Sequence, residues 1–97
     1  MSTRPKSITV MGTKYKVTGT PKHKDHLGEC DNNLMEIRVL STLTEREWND
    51  VFIHEIIHAI LFVSGTGALL RAAKDEEAVV TAIGNGLAQL GYLRRRS

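Results

Sequence analysis

Apolar and polar residues alternate along SITVMGTKYKVT, residues 7–18, with Ile8 and Val10 on one side and Tyr15 and Val17 resuming the pattern after Gly12-Thr13. A period of two broken by a glycine-containing turn predicts a β-hairpin. Residues 19–25, GTPKHKD, lose the alternation and read as a loop. A second hairpin is predicted from segments 27–30 and 34–40, which flank the turn-favouring Asp31-Asn32-Asn33; Met35, Ile37 and Val39 alternate there with Glu36 and Arg38. The period then lengthens. Thr44 followed by Glu47 has the spacing of a capping box and opens a helix over about 45–63, which Ser64-Gly65-Thr66-Gly67 ends. A linking segment, briefly helical, covers 68–74. A last helix is expected over about 75–93, with Val79, Val80, Ile83, Leu87 and Leu90 at helical spacing and Gly84, Gly86 and Gly91 weakening its propensity. The pattern predicts an α+β fold: a small antiparallel sheet packed against two helices, with Trp48 and Phe52 buried beneath it.

Composition narrows the class. At 97 residues, 41% hydrophobic and 25% charged, the chain suits a single domain over 1–97, with 1–6 and 94–97 as flexible tails. A net charge of +2 excludes a strong field toward nucleic acid or membrane, and only Arg94, Arg95 and Arg96 hint at a basic patch. MSTRPKS lacks the apolar core of a secretory leader, and no apolar run reaches the length of a membrane span, so a cytoplasmic protein is expected. Cys30 is the single cysteine and reads as a small half-buried residue.

The candidate chemistry lies in VFIHEIIHAILFV, residues 51–63, where His54, Glu55 and His58 interrupt an apolar run. Histidines four apart on a helix share a face and can direct one nitrogen each at a single zinc ion. In the H-E-x-x-H pattern the glutamate, about 100° around the helix, is a general base for water attacking a carbonyl. The apolar neighbours Ile53, Ile56, Ile57, Ile60 and Phe62 leave no solvated face for the motif in the central turns. A catalytic zinc takes three protein ligands and keeps one position open. For the third, Glu76 and Glu77 are favoured over His23, His26, Asp75 and Cys30, because a second helix can hold a carboxylate rigidly near the histidines. Glu77 aligns with the small residues Thr81, Gly84 and Ala88, which would let two helices approach, and is preferred; Glu76 is then a solvated first-turn acid.

The motif HEIIHAI, preceded by LMEIRVL and followed by DEEAVVTAIGNGLAQL, resembles compact gluzincin-type metallopeptidases of the ImmA/IrrE kind, especially short phage-encoded members. The resemblance covers about residues 7–93. It implies a minimal zincin-like domain acting as a zinc peptidase, an endopeptidase rather than an exopeptidase, in the cytoplasm of a bacterial host. It also implies one zinc on His54, His58 and Glu77, Glu55 as general base, and a protein or peptide substrate held on a sheet edge, here strand 34–40. Segments that complete the cleft in larger members are missing. Tyr92, His23 and His26 are the candidates for stabilising an oxyanion. The competing expectation is a catalytically silent zinc-containing binding or regulatory module of phage or mobile-element origin, although a purely structural site has no need of Glu55.

Overall fold

A computed structural model describes residues 4–20, 26–70 and 73–89. The alternating segments form four strands, β1 (Ser7–Val10), β2 (Thr13–Thr20), β3 (Gly28–Asp31) and β4 (Glu36–Leu40). Between β1 and β2, Met11 and Gly12 have φ of 47° and 86°, the left-handed pair that lets a two-residue turn follow the strand twist. Asp31 ties the β3–β4 reversal: its Oδ1 accepts from the backbone N–H of Asn33 and of Leu34, each at 3.0 Å.

The strand order is β1-β2-β4-β3. Both hairpins are antiparallel, but β2 pairs with β4 in parallel, Lys16 opposite Glu36 and Thr20 opposite Leu40, so the sheet is mixed rather than antiparallel throughout. This corrects the expected substrate edge: the strand within 34–40 is interior, and the edge strand beside it is β3. The side chains explain the order. Ile37 and Val39 are fully buried, while Glu36 and Arg38 on the other face pair with neighbours on both flanks, Thr18 with Glu36 and Glu29 with Arg38. Strand β3 directs only Gly28 and Cys30 toward the core, opposite Val39 and Ile37, and its acids Glu29 and Asp31 suit an edge that must resist stray pairing. The chain passes from β2 to this outer position first, and the hairpin returns β4 inward alongside β2.

The first helix, α1 (Glu45–Val63), has the expected bounds. Its capping box is formed: Glu47 N–H donates to Thr44 Oγ1 at 3.2 Å and Thr44 N–H to Glu47 Oε1 at 3.0 Å. Trp48, Phe52 and Ala59 pack beneath the sheet with Val10, Tyr15, Val17, Ile37 and Val39, the Trp48 and Phe52 rings 4.7 Å apart. The expected loose tail is also corrected at residue 4. The Arg4 guanidinium lies over Trp48 at 5.0 Å and donates to the carbonyls of Ser41 and Leu43, and Lys6 accepts from Val17 N–H.

After a 3₁₀ turn at Thr66–Leu69, α2 (Ala73–Gln89) packs chiefly on α1, so residues 73 and 74 belong to the helix and not to the linker. Val80 meets Ile57 and Leu61 in a second small core. Because α1 covers only part of α2, Ile83 is 44% exposed, and of the small stripe Gly84 approaches Ile57 while Thr81 faces outward. The sheet and α2 likewise leave one sector of α1 uncovered, so Ile60 and Phe62 are 39% and 52% exposed, against the expectation that the motif's apolar neighbours leave no solvated face in the central turns. No helix among the described residues is long and apolar enough to cross a membrane.

Candidate metal centre

One helical turn separates His54 from His58, and their rings lie 5.1 Å apart, nearly edge to face. The N-terminal part of α2 crosses them and brings the Glu77 carboxylate against both: Oε1 is 3.1 Å from His54 Nε2 and Oε2 is 2.9 Å from His58 Nε2. One donor atom from each of the three lies within 4.8 Å of the other two. A four-coordinate zinc with bonds of about 2.0–2.2 Å spaces neighbouring donor atoms about 3.3 Å apart, so the Glu77 separations need little adjustment to surround an ion. Two imidazoles and a carboxylate are also a donor set that zinc accepts. The three residues could therefore hold a single zinc ion.

Glu76 differs from its expected place in solvent. Its side chain is half-buried, and Oε2 lies 2.6 Å from His58 Nδ1, on the opposite side of the ring from Glu77. Two successive residues of α2 thus flank the two nitrogens of one histidine.

Glu55 is 7% exposed, the one charged residue in the buried set among the described residues. Burial, chiefly, pushes its carboxyl up to about 7; Glu77 and Glu29 add to the shift and His58 opposes it. Strand β3 lies directly over it because residue 28 is glycine. A Cβ there would stand 2.6 Å from Val51 Cγ1, 3.2 Å from the Arg38 carbonyl oxygen and 3.3 Å from Glu55 Cγ.

Two adjoining clefts of about 320 and 600 Å³ meet over this point and share His26, Gly28, Glu55 and Glu77. The first extends past His58 and Glu76 to Cys30 and Asn32, the second past His54 to Leu27, Val51 and Asn85. No described strand pairs with the outer edge of β3, which borders both.

Of the other candidates, His26 lines the clefts but does not join the donor cluster, and Asp75 is exposed at the start of α2. Cys30 lines the first cleft with its thiol pushed up to about 12, by burial first and then by the charges of Glu55, Asp31, Glu76 and Glu29. His23 and Tyr92, the remaining oxyanion candidates, lie outside the described residues, as do the terminal arginines. Sequence reasoning missed the contact of Glu76 with His58 and the role of Gly28, for which a glycine opening a short strand was the available signal of close backbone approach. No family model, curated protein or solved structure matches this chain.

Proposed function

We propose that the chain is a zinc-dependent peptidase that hydrolyses peptide bonds of a protein substrate. One observation carries this reading: the three donors converge beside a buried glutamate, at the meeting of two clefts bordered by a strand edge that no described strand covers. His54, His58 and Glu77 would hold the ion. Zinc bound there supplies a Lewis acid for a carbonyl oxygen and lowers the pKa of water to about 7.

The rest falls to the chain itself. Glu55 takes a proton from the attacking water as its oxygen bonds to the peptide carbon, and returns a proton to the amine as the C–N bond breaks. Burial and the covering strand keep bulk water from competing for that carboxylate. The outer edge of β3, with which no described strand pairs, would take an extended peptide by main-chain hydrogen bonds, a mode that reads main chain and tolerates varied side chains.

The test is a peptide library incubated with the zinc-loaded protein, with new termini read by mass spectrometry. Cleavage is expected from the wild type, and Glu55→Gln should retain zinc and lose it. Equal cleavage by Glu55→Gln would refute the role of Glu55. Zinc binding without cleavage by the wild type would favour the silent binding module.

A further inference from the structure

We infer that Glu76 is a positioning residue, which accepts the Nδ1–H of His58 and thereby holds that ring with Nε2 directed at Glu77 and the ion. The inference rests on the metal-site reading for its consequence, but its geometry stands alone. A carboxylate only accepts hydrogen bonds, so the 2.6 Å separation from Nδ1 places a proton on that nitrogen. The other ring nitrogen, the one that would give its lone pair to an ion, lies 2.9 Å from Glu77 Oε2.

The two glutamates divide the work by position. Glu77 reaches both histidines through Nε2, whereas Glu76 meets His58 from behind and has no described contact with His54. Burial favours the arrangement. The His58 side chain is 13% exposed and that of Glu76 30%, so water competes less for this bond than for an open surface pair. Carboxylates placed behind a ligating histidine fix its tautomer and orientation, and losing one typically weakens metal binding about 10–100-fold. His54 keeps its own contact with Glu77 in such a variant, so the loss should be graded and not complete.

Two readouts test this on the full chain. Zinc affinity is measured by competition with a chromophoric chelator for wild type, Glu76→Ala and Glu76→Gln, each checked for folding by circular dichroism. Affinity should fall about 10–100-fold in Glu76→Ala and recover in part in Glu76→Gln, whose amide oxygen can still accept. Proton NMR of the metal-free protein supplies the second. A downfield, exchange-protected Nδ1–H signal of His58 is expected in the wild type and should vanish in folded Glu76→Ala. A Glu76→Ala affinity within twofold of wild type, or an Nδ1–H signal that persists without Glu76, would overturn the inference. If the wild type takes up no zinc, the peptidase reading fails separately, and the Nδ1–H signal still decides what Glu76 does.

Discussion

Replacing Gly28 by alanine should destabilise the fold through one named collision. The added Cβ would sit 2.6 Å from Val51 Cγ1, against an ordinary carbon–carbon separation of about 3.5–4.0 Å, so β3 and α1 must part by about 1 Å locally. Val51 has little freedom to turn away, because a β-branched side chain in a helix keeps essentially one rotamer. On the other sides the Cβ meets the Arg38 carbonyl at 3.2 Å and Glu55 Cγ at 3.3 Å, so sliding along the strand gives no relief. Overpacking of this kind costs about 1–3 kcal/mol. Loss of glycine's unfolded-state entropy returns about 0.4–1 kcal/mol, which leaves a net loss of roughly 0.5–2 kcal/mol. For a chain of this length that is a fall in Tm of roughly 2–15 °C. The decisive assay is a urea-denaturation cycle of Gly28→Ala, Val51→Ala and the double variant. With the γ-methyl groups gone, Gly28→Ala should lose most of its cost, the remainder being the tighter contacts with the Arg38 carbonyl and Glu55 Cγ. An equal cost of Gly28→Ala in both backgrounds would refute the collision as its cause.

Two further outcomes follow from contacts away from the site. Thr44→Ala removes half of the capping box and should cost about 1 kcal/mol, read as a lower urea midpoint with unchanged zinc affinity. Asp31 has its carboxyl held below the ordinary 3.8, chiefly by the backbone N–H of Leu34 and further by that of Asn33 and by Arg38, with burial opposing. Its stabilisation is present above about pH 4 and is lost as pH falls through the lowered folded value. Thermal melts of wild type and Asp31→Asn should therefore differ at pH 6 and converge toward pH 2; parallel curves would contradict the assignment.

What could be read from the sequence was what short windows encode. The bounds of α1 follow from Thr44, Glu47 and Gly65, and both hairpins follow from alternation around Gly12 and Asp31-Asn32-Asn33. The helical pair His54 and His58 was legible because its geometry is local. Strand order was not, since it depends on pairing across the chain. The burial of Ile37 and Val39 and the acidic, glycine-bearing composition of β3 decide it, and together they make β4 interior. The same limit explains Glu76. Periodicity places Glu76 and Glu77 about 100° apart on one helix, but only the packing of Val80 against Ile57 and Leu61 sets the height at which both reach His58. Exposure of Ile60, Phe62 and Ile83 was missed because an apolar run does not say how many neighbours cover it.

These donors can be either a metal site or merely an ion-paired contact between two helices. Anomalous diffraction at the zinc edge, from crystals grown with zinc, decides between them most directly. A metal site requires a peak about 2.0–2.2 Å from His54 Nε2, His58 Nε2 and a Glu77 oxygen, with Glu76 behind His58 and off the metal. Crystals in which zinc binds elsewhere, while Glu77 remains in direct contact with both imidazoles, would contradict it.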